Sequence, residues 1–227
     1  MPARGGSAVV EPVVLSASRA TDIPAFYANW FMRRLRAGFF RWTNPFNAAQ
    51  VQTVSVAKTR AIVFWTKDPA GIWPHLDELD RTGIHYYFQY TLNEYEAEGL
   101  EPGLPPRTAR LDSFRRLANR LGPDRVVWRL DPLLLTDRLG VPELLERAAR
   151  LLAQLAGHVR KLVFSFADIA AYPAVRRNLA RAGIAAREFT PAEMEEFARG
   201  VAELNRAYGL ALATCAEEID LAAYGIG

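Results

Sequence analysis

Cysteine is almost missing from this chain: among 227 residues only Cys215 carries a thiol. An internal disulfide and a multi-cysteine metal site built from this chain are therefore excluded. Histidine is scarce too. His75, His85 and His158 stand singly, without the two-turn spacing of a helical zinc pair, which weighs against a histidine-rich metal centre and leaves a carboxylate site open. Neither the glycine-rich phosphate loop nor the dinucleotide fingerprint occurs, which argues against nucleotide binding through those devices. No apolar run approaches membrane-spanning length, and Met1–Ser7 is too short and polar before Val9 for a signal peptide. The expectation is a cytoplasmic protein with no membrane partner. The net charge of +3 comes largely from dispersed arginines, and Trp30, Trp42, Trp65, Trp73 and Trp128 are scattered. Both facts weigh against a nucleic-acid partner, although Arg41-Trp42 keeps that alternative in view.

What is present is a regular alternation. The length suits one compact domain over residues 1–227, and 50% hydrophobic content supplies its core. Val13–Ala17 reads as strand, and Asp22 with Pro24 opens a helix that runs to about Ala37, ahead of Gly38. Residues 39–60 read as a rim insertion, with a turn at Asn44–Asn47 and a half-exposed strand over Val51–Val56. Ala61–Trp65 is strand, Asp68-Pro69 caps a helix closed by Gly83, and Ile84–Tyr90 is strand again. The segment Glu94–Arg107, rich in glycine, proline and glutamate, reads as a loop over the rim. Helices over Thr108–Leu121, Pro142–Leu155 and Tyr172–Ala182 then alternate with strands at Val126–Leu130 and Lys161–Phe166. Thr190-Pro-Ala-Glu193 resembles a capping box opening a helix that Gly209 ends, before a last strand at Leu210–Thr214. Alternation at this spacing predicts an α/β fold, a TIM-like or partial βα barrel of about six parallel strands with outer helices. An open doubly wound sheet is the alternative.

Six of the apolar runs end in polar clusters: Ser16-Ala-Ser-Arg19, Thr66-Lys-Asp68, Gln89–Asn93, Arg129-Leu-Asp131, Ser165–Asp168 and Thr214–Glu218. A buried strand has no packing reason to finish in charge, whereas the C-terminal rim of a βα barrel gathers such tips round a substrate. The side-chain period of two puts Ser16 with Ser18, Gln89 with Thr91 and Asn93, and Arg129 with Asp131 on common faces. Ser16, Ser18, Arg19, Lys67, Gln89, Thr91, Asn93 and Arg129 are the candidate substrate-binding residues; the cations among them suit a small anionic molecule. Asp131, Glu217 and Glu218 are the candidate catalytic acids and bases. Blander roles stand beside these. Arg129 and Asp131 equally make an internal salt bridge, Asp22 a helix cap, Lys67 a snorkelling edge residue, and Cys215 an inert buried thiol.

The segments Ser16–Tyr27, Asn44–Asn47, Val63–Pro69, Trp128–Pro132 and Thr214–Asp220 together resemble a prokaryotic family, the domain of unknown function 1848. The likeness covers nearly the whole chain. Longer members continue into a cysteine-rich tail with C-x-x-x-C-x-x-C spacing, similar to a radical S-adenosylmethionine cluster loop. The resemblance thus implies, for full-length relatives, an enzyme scaffold using S-adenosylmethionine and a 4Fe-4S cluster. This sequence departs from that pattern: it stops at Gly227 before any such tail, and Cys215 alone does not bind the cluster. The expectation is either a form that needs the tail or a branch that works without iron and sulfur, with no metal or cofactor assigned to this chain itself. The alternatives are a metal-assisted or acid-base hydrolase or lyase using Asp131 with Glu217 or Glu218, and a noncatalytic or nucleic-acid-binding protein.

Overall fold

A computed structural model of the protein describes residues 8–17, 21–44, 47–215 and 217–227. The chain divides into two compact units, Met1–Gln89 and Tyr90–Gly227.

The first unit begins with β1 (Ala8–Val10) and β2 (Val14–Ala17), followed by α1 (Ile23–Phe26) and α2 (Ala28–Arg36). The single helix expected over 22–37 is broken at Tyr27, whose φ of −131° and ψ of 18° leave the helical region. Asp22 nevertheless caps it as expected, its Oδ1 accepting the Ala25 N–H at 2.9 Å. The apolar stripe Ala28, Phe31, Met32 and Leu35 buries one face of α2, and Gly38, with φ of +81°, turns the chain. Next come β3 (Phe39–Asn44) and β4 (Asn47–Ser55), an antiparallel pair that β1 joins in parallel. The rim insertion is thus a separate three-stranded sheet in the order β1-β4-β3. Of the turn expected at Asn44–Asn47, Pro45 and Phe46 lie outside the described residues. β5 (Ala61–Thr66) pairs in parallel with β2. Helix α3 (Leu76–Arg81) starts well after Asp68-Pro69, because Asp68 accepts the Ala70 N–H in a local turn and a 3-10 turn at Trp73–His75 intervenes. Strand β6 (His85–Thr91) alternates buried and open positions, and Phe64, Tyr86 and Phe88 form an aromatic cluster with Phe31.

The second unit carries α4 (Arg107–Leu121), β7 (Val126–Leu133), the short β8 (Leu135–Thr136), α5 (Val141–Leu155), β9 (Lys161–Phe166) and α6 (Pro173–Arg181). It ends with β10 (Ala186–Arg187), α7 (Pro191–Asn205) and β11 (Ala211–Thr214). In α5, Val141, Leu144, Ala148, Leu151, Leu152 and Leu155 recur at helical spacing and are all buried. Each such leucine contributes about 1.5–3 kcal/mol relative to exposure. Thr190 opens α7 with the expected capping box, its Oγ1 receiving the Glu193 N–H while Glu193 accepts from Thr190 N–H. Leu162, Val163 and Phe164 make β9 apolar on both faces, as a sheet covered on both sides requires. The two-residue strands β8 and β10 pair with each other in antiparallel fashion. The loop after β6 is ionically strapped: Glu94 meets Arg107 at 2.8 Å, Glu98 meets Arg147 at 2.6 Å, and Glu101 meets Arg110 at 3.2 Å.

The remaining strands form one all-parallel sheet in the order β11-β9-β7-β6-β5-β2. The fold is therefore mixed α/β with six parallel strands and, among the described residues, seven helices. The pairings show this much and not the closure of a barrel. No helix among the described residues is long and apolar enough to cross a membrane.

Candidate functional site

Three neighbouring strand ends of the second unit, those of β7, β9 and β11, open onto a cavity of about 860 Å³. That volume suits a small molecule. Arg129 and Asp131 reach it from one face of β7, Ser165 from β9, and Cys215 and Glu217 from the segment after β11. Tyr172, Val175, Phe189 and Met194 add an apolar wall.

At the centre, Arg129 donates from Nε to Asp131 Oδ2 at 2.8 Å and from Nη2 to the same oxygen, while Ser165 Oγ donates to Asp131 Oδ1. Both carboxylate oxygens are thereby engaged. Arg129 is only 4% exposed. Burial works against its charge, but Asp131 and a contact with the Cys215 thiol outweigh burial and hold the guanidinium above its ordinary range. Glu217 accepts the Phe166 N–H at 2.8 Å. Burial nevertheless pushes its carboxyl above the usual range; the Phe166 bond opposes this, and the negative charges of Asp131 and Asp168 add to it. Glu218 also lines the cavity but is exposed.

A model of the family described as Domain of unknown function (DUF1848) matches residues 14–227. The chain belongs to the DUF1848 family. No curated protein and no solved structure matches it. Membership in DUF1848 bears out the resemblance carried by the five sequence segments and names no activity.

The remaining candidate residues of this DUF1848 chain are placed as follows. Asn93 is 1% exposed, and its amide is spent on the backbone of Asp131 and on Glu101 rather than offered to a ligand. Thr91 is half-buried at the end of β6. In the first unit, Gln89 is half-buried and its Oε1 has no hydrogen-bond partner among the described residues. Ser16 is exposed and accepts from Trp65 Nε1 at 3.1 Å. Lys67 is half-buried, with its backbone N–H donating to Asp22 Oδ2 at 2.8 Å. Asp22 also receives Thr66 Oγ1; burial pushes its carboxyl upward against these hydrogen bonds, and beyond the cap anticipated it ties the end of β5. Ser18 and Arg19 lie outside the described residues.

The cavity also takes residues beyond those candidates, Ser165, Cys215 and Phe189 among them. Ser165 has a signal, since it opens the polar tip Ser165–Asp168 of an apolar strand. Cys215 is half-buried on the cavity wall beside Arg129 rather than fully buried in the core. Phe189 had no signal, because the two-residue β10 that precedes it leaves no periodicity to read.

Proposed function

We propose that this DUF1848 chain is an enzyme scaffold that moves protons on a small polar substrate bound in the cavity of the second unit, with Asp131 as base and Glu217 as acid. One observation carries this reading: two carboxyl groups line one cavity in opposed surroundings. Asp131 is gripped by a guanidinium and a hydroxyl, whereas Glu217 is desolvated and pushed toward its neutral form. Two carboxyl groups on one cavity wall, one of them held toward its neutral form, are the pairing that general acid-base chemistry uses. Glu218 at the open side supports a role in ligand contact. The alternation of parallel strands and helices supports a partial βα barrel with its substrate at the strand ends.

The expected anionic substrate would meet Arg129 as the cation of this cavity, a guanidinium that also commits its Nε and Nη2 to Asp131. The radical S-adenosylmethionine chemistry implied for longer relatives needs three thiolates to hold its cluster. Cys215 is the only cysteine of this chain, so its residues do not fit the cluster. Among the described residues, no group of three histidine, cysteine or acidic side chains stands together to hold a metal ion.

The test is incubation of the full chain with a panel of small polar metabolites, with mass-spectrometric detection of consumed compounds. Wild type should convert at least one, and Asp131→Asn and Glu217→Gln should each lower kcat by about 10²–10⁴-fold while the fold is kept. Equal turnover by both variants, or no conversion of any compound by wild type, would count against the proposal.

A further inference from the structure

We infer that Asn93 and Tyr95 are positioning residues that set Asp131 in place; the inference rests on the acid-base reading above. Asp131 sits where β7 loses its register with β9. The pairing runs Arg129 with Val163 and Leu130 with Phe164, then shifts and resumes only at Leu133 with Phe166. Asp131 and Pro132 are skipped, and the peptide between them is cis. On the other flank, Leu92 N–H donates to the Arg129 carbonyl at 3.0 Å, after which the chain leaves for the strapped loop. The segment that presents the base is therefore short of ladder bonds on one side, and side chains take over the task.

Asn93 supplies the missing rung. Its Oδ1 accepts the Asp131 N–H at 3.0 Å, and its Nδ2 donates to the Asp131 carbonyl at 3.0 Å. One amide thus satisfies both backbone groups of one residue, which needs a donor and an acceptor at a fixed short reach. Aspartate there would lack the donor and would face Glu101; leucine would fill the space and leave both backbone groups unsatisfied. Two residues on, the Tyr95 hydroxyl donates to the Pro132 carbonyl at 2.9 Å and accepts the Leu134 N–H at 3.0 Å. Burial holds that phenol far above its ordinary range, so it stays a hydroxyl and keeps both bonds. Behind Asn93, its Nδ2 also reaches Glu101 Oε1 at 3.3 Å, and Glu101 is paired with Arg110, which is 2% exposed. Asn93 is thereby anchored to α4, and the carboxylate of Asp131 inherits its place from the two pegs.

The side-chain Nε–Hε resonance of Arg129 reports whether Asp131 still sits opposite it, with no substrate required. The experiment records that signal by ¹⁵N NMR in wild type, Asn93→Leu, Tyr95→Phe and Leu151→Ala, at a temperature where circular dichroism shows each variant folded. Leu151→Ala weakens the same unit from the buried face of α5. Asn93→Leu and Tyr95→Phe should displace the resonance and speed solvent exchange of its proton about tenfold, the scale of one lost hydrogen bond. Leu151→Ala should lower the melting temperature and leave the signal in place. An unchanged signal in either peg variant, or the same displacement in Leu151→Ala, overturns the inference. If Asn93→Leu does not fold, Tyr95→Phe, which keeps the ring, decides alone. Because no turnover is measured, loss of the acid-base reading leaves this result intact, and the reverse holds too.

Discussion

Glu217 holds the backbone N–H of Phe166 at 2.8 Å, tying the segment after β11 to the end of β9 across 51 residues of sequence. Its carboxyl is raised chiefly by burial and only partly relieved by that bond. A carboxyl raised in the folded state favours the protonated form. Its stabilising share is complete below the unfolded-chain value of about 4.3 and is lost as pH rises through the folded value. Glu217→Gln keeps a neutral acceptor at every pH. The melting temperature of this variant minus that of wild type should stay flat below about pH 4 and then grow as pH climbs through the raised value. A difference that is constant or shrinks over that range would contradict the shift.

Arg129 and Asp131 form a pair whose guanidinium is 5% exposed and whose carboxylate is 23% exposed. Removing one partner of such a pair strands the other. Arg129→Met should cost about 3 kcal/mol in urea unfolding, and adding Asp131→Leu should recover a large part of it. A double variant as unstable as the sum of its singles would show that the two residues act independently.

Asp22 joins three structures of the first unit: the Ala25 N–H at the start of α1, Thr66 Oγ1 at the end of β5, and the Lys67 N–H beyond it. Asp22→Ala removes both acceptor oxygens and so all three hydrogen bonds at once. It should lower stability by about 2 kcal/mol, with Asp22→Asn costing less because one oxygen remains. Chemical denaturation of the three proteins side by side checks the order.

Gly71 lies against the backbone of α1. A Cβ there would meet the Pro24 carbonyl oxygen at 2.5 Å and that of Ala25 at 2.9 Å. Backbone cannot rotate away as a side chain can, so Gly71→Ala should destabilise by about 1–3 kcal/mol. A neutral result in a thermal melt would mean that α1 yields to the methyl group.

Where hydrophobic periodicity was long, the chain could be read correctly. β9 falls on Lys161–Phe166 as expected and α5 within one residue of its expected start, because each buries a continuous set of apolar side chains. The break at Tyr27 was not legible, since the apolar spacing of Phe26, Trp30 and Phe31 runs straight across it. Nor was β1, whose three residues find their partner some forty positions later in β4. For the site, period two placed Arg129 and Asp131 together correctly. It also put Asn93 among the ligand-binding groups, because periodicity fixes a face and not a depth: at 1% exposure its amide serves the backbone of Asp131.

The scarcity of sulfur has a practical side. Cys215 is the only thiol in 227 residues, and it stands on the wall of the cavity. A single maleimide dye or fluorinated tag added to the unaltered chain would therefore attach at one address, and its signal would register whatever small molecule comes and goes there.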